Sequence, residues 1–145
     1  MSVGGICSRS VVTIAPQETI RVAAQRMADN DVGTLVVSTP NGILQAVGIV
    51  TDRDIVLRGI AGRYDLDNTP ISKIMTTPVD WVYEGTPVEE AIHKMATTAT
   101  RRLVVTGPGE RLVGILSLDD ILDQLVGEIQ SVGELLRKQT PHVPV

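Results

Sequence analysis

The sequence predicts an α/β fold built from two copies of one small unit, each ordered β-α-β-β-α and packed about a pseudo-twofold axis. Two internal repeats predict this fold. The segment Ile20–Val37 returns 68 residues later as Val88–Val105, and Gly48–Ile55 returns 66 residues later as Gly114–Ile121. Self-similarity of this kind indicates repeated structural units. Each copy is too small to bury its own core comfortably, so we expect the two to pack together around a ligand-sized cleft.

In the first copy, short β-branched runs predict strands, and apolar residues at intervals of three and four predict amphipathic helices. A Pro-Asn-Gly segment between apolar runs predicts a turn. The predicted elements are a strand at Val11–Ile14, a helix from Ile20 to about Asn30, strands at Leu35–Ser38 and Ala46–Val50 joined through Pro40-Asn41-Gly42, and a helix from Thr51 to Gly62.

The second copy repeats this order and ends in a longer helix with a single apolar stripe. Its predicted elements are a strand at Val79–Val82, a helix at Pro87–Thr98, strands at Leu103–Thr106 and Leu112–Leu116 joined by Pro108-Gly109, and a helix from Ser117 to about Lys138. A polar connector with a short helical turn at Ile71–Met75 joins the copies. The predicted domains are repeat 1 at residues 6–62, the connector at 63–73, repeat 2 at 74–127, and a helix extension and tail at 128–145.

Composition excludes several classes of function. The 145 residues are 43% apolar, as in globular proteins, and the net charge is −4. One Trp, two Tyr, no Phe and the absence of a basic run argue against nucleic acid as a partner, because its recognition needs aromatic platforms and clustered positive charge. No run approaches the roughly 18 apolar residues of a membrane span, and no signal-peptide pattern is present. With a single cysteine, we expect a cytoplasmic protein without membrane contact.

The motif Gly-Ile-x-Thr/Ser-x-x-Asp occurs twice, ending at Asp54 and Asp120, where a strand passes into a helix. A helix N-terminus offers free N–H groups that bind phosphate, and the hydroxyls of Thr51 and Ser117 can add a donor. A carboxylate one turn further on can accept hydrogen bonds from the two hydroxyls of a ribose. The alternative is a capping box, in which hydroxyl and acid only close the helix N-terminus. The two interpretations are compatible.

No other group of residues predicts chemistry. Acidic residues in the first turn of a helix are explained by the helix dipole, so we expect no metal site. The two histidines have no partner for acid–base work that the sequence reveals. We therefore expect the protein not to be an enzyme.

Four features recur in the same order in both copies. They are the pre-strand segment Ile74–Val79, matched more weakly by Ile6–Val11, the Ala-x₂₋₃-Met helix, the Leu-Val-Val strand and the Gly-Ile-x-Thr/Ser-x-x-Asp turn. From about Ile6 to Asp123, the chain resembles a tandem pair of cystathionine-β-synthase-type (CBS) domains, known as a Bateman module. The resemblance implies regulatory binding of an adenosine compound between the repeats, namely AMP, ADP, ATP, S-adenosylmethionine or NAD, with no required cofactor.

The resemblance also implies roles for particular residues. The motif aspartates would hold the ribose, and the basic residue before the Leu-Val-Val strand would meet phosphate. That position is Arg102, with Arg101 beside it, in the second copy and the uncharged Thr34 in the first. We therefore expect the site with Ser117, Asp120 and Arg102 to take phosphorylated ligands better than the site with Thr51 and Asp54.

In the family the adenine packs against the first strand of the partner repeat. Here that strand is about Ser10–Thr13, with Val11 and Thr13, for the second-repeat site, and about Val79–Trp81 for the first-repeat site. The resemblance further implies a homodimer, formed as a flat disc through the helices, that signals by a population shift to an unknown effector protein. The competing hypothesis is a ligand-free interaction module whose motifs only cap helices.

Overall fold

The computed structural model describes residues 1–41 and 43–139, and its strands form two three-stranded sheets of matching topology. In each sheet the first strand pairs parallel with the second, and the second pairs antiparallel with the third. The strands are β1 (Thr13–Ile14), β2 (Thr34–Asn41), β3 (Ile43–Thr51), β4 (Trp81–Tyr83), β5 (Arg102–Thr106) and β6 (Leu112–Ser117). This topology confirms the predicted fold class of two β-α-β-β-α repeats.

Helices pack against both sheets, and five of them have α-helical geometry in the described residues. These are α1 (Val3–Ile6), α2 (Ile20–Asn30), α3 (Asp52–Asp54), α4 (Val88–Thr98) and α5 (Leu118–Gln139). A π-helix at Ile55–Ile60 continues α3, and 3₁₀ turns lie at Ile71–Lys73 and Pro108–Glu110. No helix in residues 1–41 and 43–139 combines the length and apolarity that crossing a bilayer requires.

Several element ends differ from the prediction. Only Thr13 and Ile14 of the predicted first strand pair in the sheet, whereas β2 and β3 extend towards each other to Asn41 and Ile43. Gly42 of the predicted turn lies outside the described residues, as does the tail from residue 140. In the second copy, the predicted hairpin turn is a 3₁₀ turn in which Gly109 has a φ of 71°.

Each sheet and its helices enclose a separate hydrophobic core. Helix α2 buries Ile20, Ala23 and Met27, which share one face at intervals of three and four residues. The equivalent face of α4 buries Val88, Ala91 and Met95. The strands complete both cores with the Leu-Val-Val runs of β2 and β5, all of which are fully buried.

Each core is closed by a segment from outside its own predicted repeat. Val3 of α1 is fully buried in the second core, and its N–H donates to Thr86 O at 2.9 Å. Ile71, which lies in the predicted connector, is fully buried in the first core, and its N–H donates to Glu18 O at 2.7 Å. We call the stretches 1–8 and 69–76 the crossing segments. The sequence did not predict α1 because its two glycines disfavour a helix, so the turn depends on tertiary contact.

The crossing segments also join the two sheets through matching backbone pairs. Ser8 exchanges two hydrogen bonds with Ile115 of β6, each of 2.9 Å. Thr76 exchanges two with Ile49 of β3, at 2.8 and 3.1 Å. Each repeat's pre-strand segment is therefore bonded to the strand that carries the motif of the other repeat.

Candidate functional site

Both motif turns form complete capping boxes. The Asp54 N–H donates to the Thr51 hydroxyl at 3.1 Å, and the Thr51 N–H donates to the Asp54 carboxylate at 3.0 Å. Ser117 and Asp120 form the same pair of bonds at the same distances. The capping interpretation of the motif therefore holds in both copies.

A capping role leaves part of the Asp54 carboxylate available. One oxygen, Oδ2, accepts the Thr51 N–H, while Oδ1 lies 3.8 Å from Arg58 Nε. The Asp54 side chain is 16% exposed and opens onto a cavity, so cap and ligand contact are geometrically compatible.

This cavity, which we call the first cavity, has a volume of about 170 Å³ and lies between the two repeats. One wall is the motif turn of the first repeat, with Thr51 and Asp54. The opposite wall belongs to the second repeat, because the Ile49–Thr76 bridge brings its pre-strand segment against β3. That wall consists of Thr76, Pro78, Val79, Asp80, Thr100, Arg101 and Arg102.

A second cavity of about 220 Å³ occupies the matching place on the other side of the pseudo-twofold axis. Ile115 forms one wall, and the Ser8–Ile115 bridge brings the first pre-strand segment against it. The opposite wall consists of Ser8, Ser10, Val11, Val12, Val32, Gly33 and Thr34. Of the residues predicted for this site, Val11 and Thr34 line the cavity. Asp120, Ser117 and Thr13 are not among its lining residues.

The two cavities differ most in charge. Arg101 and Arg102 line the first cavity, and the matching places in the second are held by Gly33 and Thr34. The sequence had grouped Arg102 with Ser117 and Asp120. The structure places both arginines on the first cavity, across from Thr51 and Asp54. Arg102 is also the register partner of Ser117 between β5 and β6.

The arginines also border a central cavity of about 410 Å³ between the two motif turns. Thr51 and Ser117 both open onto it, together with Asp52, Arg53, Arg101, Arg102, Leu118 and Asp119. Within the described residues, the guanidinium groups of Arg53, Arg101 and Arg102 make no hydrogen bond or ion pair with a side chain or a carbonyl group. Elsewhere Arg26 makes a two-pronged bond to Glu18, and Arg21 pairs with Asp67. Free guanidinium forks of this kind suit a phosphate group.

On its other side, the first cavity adjoins an apolar cavity of about 450 Å³, with which it shares Pro78 and Val79. Val47, Trp81 and Val104 supply much of its apolar wall. Trp81 is 47% exposed, and the Lys94 ammonium lies 5.4 Å from the centre of its ring. The three cavities form one groove, with an apolar end, the Asp54 carboxylate in the middle and arginines at the far end.

The sequence did not predict that Arg53 and Thr100 line the groove. It also did not predict that the motif glycines Gly48 and Gly114 stand where the two repeats approach closely. Arg53 lies inside the first motif, so its position was available, but only the fold shows that it faces the other repeat. Within the described residues, no group of three His, Cys, Asp or Glu side chains could hold a metal ion.

Comparison with known families also finds two copies of one domain in the chain. The model of the CBS domain matches residues 3–60 and 71–127. The chain belongs to the CBS domain family. This CBS pair is 36% identical over 120 residues to the CBS domain-containing protein YhcV of Bacillus subtilis. The alignment covers 83% of this chain and 82% of that protein.

Solved CBS structures share the fold. The CBS domain protein PAE2072 from Pyrobaculum aerophilum, solved in complex with AMP, is 32% identical with a TM-score of 0.71, covering 83% of this chain and 89% of that one. The CBS domain pair of protein MJ0100, in complex with 5′-methylthioadenosine and S-adenosyl-L-methionine, is 26% identical with a TM-score of 0.76. It covers 88% of this chain and 98% of its own. These comparisons confirm the predicted tandem CBS pair.

Proposed function

We propose that this CBS pair is a regulatory module that binds an adenosine nucleotide in the groove between its repeats. The observation that carries the proposal is the first cavity, where Asp54 of one repeat faces Arg101 and Arg102 of the other. A carboxylate beside unpaired guanidinium groups is suited to a ligand that carries hydroxyls and phosphate together.

Each part of a nucleotide has a counterpart along the groove. The apolar cavity around Val79 and Trp81 suits the base, since an apolar and partly aromatic wall can pack against its faces. Oδ1 of Asp54, which does not take part in the cap, suits the ribose hydroxyls, which donate to a carboxylate. The Thr51 hydroxyl and the arginines suit the phosphates.

The similar structures support the ligand class. PAE2072 was solved with AMP, and MJ0100 with two adenosine compounds that carry no phosphate, so adenosine is common to all three ligands. The arginines of the first cavity favour a phosphorylated member of this class. We propose that the second cavity, which has Thr34 and Gly33 in place of the arginines, takes a ligand of little negative charge or binds its ligand more weakly.

The module would act by shifting populations rather than by chemistry. A ligand held by Asp54 on one repeat and by Arg101 on the other favours whichever arrangement of the repeats binds it more tightly. We propose that the chain works as a homodimer and passes this change to a separate effector protein.

The test compares AMP with adenosine, which lacks the phosphate. Charge-assisted hydrogen bonds contribute about 1.5–3 kcal/mol, so we expect the Arg101→Ala, Arg102→Ala double variant to lose about 10- to 100-fold in AMP affinity by calorimetry. Its adenosine affinity should change little. The matched control is the Arg63→Ala, Arg111→Ala double variant, which removes the same charge away from the groove and should bind AMP as the wild type does.

A second pair of variants separates ligand contact from capping. Asp54→Asn and Asp120→Asn weaken equivalent caps, so both should lower the Tm to a similar extent. Only Asp54→Asn should also reduce the Tm increase that AMP produces. If no adenosine compound raises the Tm of the wild type, and if nucleotide has not co-purified, the ligand-free interaction module is correct. The two complete capping boxes are the observation that favours this second candidate.

A further inference from the structure

The apolar cavity at one end of the groove also has polar side chains in its wall, among them Gln45, Thr77, Thr106 and Glu110. The hydroxyls of Thr77 and Thr106 donate to backbone carbonyl groups at 3.0 and 3.5 Å. Within residues 1–41 and 43–139, the side-chain amide of Gln45 and the carboxylate of Glu110 make no hydrogen bond or ion pair. These two groups are therefore free to bind a polar part of a ligand.

Glu110 has an unusual backbone conformation. Its φ is 62°, in the left-handed region that favours glycine. The turn that holds it there is closed by a hydrogen bond from the Glu110 N–H to Gly107 O at 3.1 Å and by another from the Gly107 N–H to Arg111 O at 2.8 Å. Residues with side chains in this region are concentrated at ligand sites, where the surrounding structure sustains the strain. This conformation agrees with a role for Glu110 in ligand contact.

Packing against the cavity wall would not by itself select a base. Apolar walls such as those of Val79 and Trp81 contact any flat ring, and a hydrophobic pocket discriminates poorly between ligands of the same shape. A site that forms a hydrogen bond with a polar group of its ligand rejects analogues without that group much more strongly. Selection of the base therefore depends on Gln45 and Glu110.

The groove also has opposite charges at its two ends. The guanidinium groups of Arg53, Arg101 and Arg102 lie at one end, and the carboxylate of Glu110 lines the apolar end. A phosphate beside Glu110 would meet a like charge, so a nucleotide is favoured with its phosphate among the arginines and its base at Glu110. A carboxylate accepts hydrogen bonds and donates none, so it suits a base edge that carries an N–H donor.

We propose that Glu110 accepts a hydrogen bond from the 6-amino group of an adenine base in the apolar cavity, and that it thereby makes the groove selective for 6-aminopurine nucleotides. This inference rests on the proposed function, since it needs a nucleotide in the groove. Beside its amino group, adenine carries the acceptor N1. The amide of Gln45 can donate to N1, so the two free side chains of the wall match the two neighbouring groups of the base.

Calorimetry with AMP and with purine riboside 5′-monophosphate tests the contact, because the second nucleotide lacks only the 6-amino group. A hydrogen bond to a charged acceptor predicts that the wild type binds AMP about 10-fold more tightly than the analogue. Glu110→Ala should bring this ratio close to one. The ratio is the readout, since removal of a negative charge can change the affinity for both anionic nucleotides together. The matched control Glu134→Ala removes the same charge from α5 and should keep the wild-type ratio.

Two further variants separate the contact from a change in folding. Glu110→Gln keeps the shape of the side chain and should give an intermediate ratio, whereas Gln45→Ala should weaken both nucleotides alike, because both carry N1. Equal affinity of the wild type for the two nucleotides, or a wild-type ratio in Glu110→Ala, would overturn the inference and leave the proposed function intact. If neither nucleotide binds the wild type, the proposed function fails and the inference fails with it.

Discussion

The motif glycines are required by a close approach between the repeats rather than by backbone conformation. A Cβ atom on Gly114 would lie 2.4 Å from Ser8 O, and one on Gly48 would lie 2.5 Å from Met75 Sδ. Both glycines are positioned where a crossing segment bonds to the opposite sheet. The glycine that begins each Gly-Ile-x-Thr/Ser-x-x-Asp motif therefore keeps the two walls of a cavity in contact.

Substitution of Gly114 should separate those walls. In Gly114→Ala the new methyl group meets a backbone oxygen, which cannot move as a side chain can, so we expect a loss of about 1–3 kcal/mol in the free energy of unfolding. Gly127→Ala is the control, because nothing lies within 4 Å of a Cβ there, and it should gain about 0.5–1 kcal/mol. Urea unfolding measures both. Equal effects in the two variants would contradict the close-approach explanation.

Among the elements, α2 is connected through Arg26 both to β1 and to the loop that follows β1. Arg26 donates to both oxygens of Glu18, at 2.8 and 2.9 Å, and to Thr13 O at 3.1 Å. Glu18 also accepts the Ala15 N–H at 2.9 Å. The hydrogen bond from Arg26, followed by that from Ala15, lowers the pKa of Glu18 below its usual range.

The Arg26–Glu18 ion pair should make the free energy of unfolding depend on pH in the acid range. A carboxyl whose pKa is lower in the folded state contributes stability above its unfolded pKa of about 4.3, and this contribution is lost as the pH falls through the folded value. We expect Glu18→Gln to lower the Tm at pH 7 and the difference from wild type to shrink below about pH 4. Glu134→Gln, on the exposed face of α5, should differ little from wild type at either pH. A constant difference for Glu18→Gln would contradict the ionic explanation.

The sequence predicted the regular elements better than the irregular ones. Helices α2 and α4 were predicted within a residue because their buried faces repeat at helical spacing over eleven residues. The π-helix at Ile55–Ile60 leaves no such pattern, since its wider turn results from how the segment packs. Strand β1 was predicted too long because Val11 and Val12 are apolar for another reason, which is that they line the second cavity.

The residue types of the candidate site could be predicted from the sequence, whereas the position of Arg101 and Arg102 across the first cavity from Asp54 could not. Motif repetition pointed to Thr51, Asp54, Ser117 and Asp120 without any structure. Which arginine faces which aspartate depends on the relation between the repeats, and no local pattern encodes that relation. The assignment of these residues to a ligand remains a prediction.

At the scale of the whole molecule, the crossing segments make the two cores depend on each other. Ile71 lies beyond the first repeat in sequence, yet it is fully buried in the first core. Val3 has the reciprocal place in the second core. Because the backbone bridges tie these segments to the opposite sheet, we expect both cores to unfold in one transition.

The Ile71→Ala variant tests this coupling. Removal of a buried isoleucine costs about 2–5 kcal/mol, here in the first core. The sole tryptophan, Trp81, lies in β4 of the other repeat, so its fluorescence reports on the sheet of the second repeat. Unfolding followed by Trp81 fluorescence should shift to lower urea concentration as far as unfolding followed by CD. A Trp81 midpoint that stays at the wild-type value would show that the cores unfold independently.

The crossing segments also determine where the chain can be divided. A cut at the predicted connector, after residue 62, yields a first fragment that lacks Ile71 and Ile74 and carries Val3 with no second core to receive it. The second fragment has the reverse deficiency. Neither half is therefore a complete folding unit, although each carries the piece that the other lacks. Studied apart, the two halves would report on incomplete cores, and studied together they form a complementation pair.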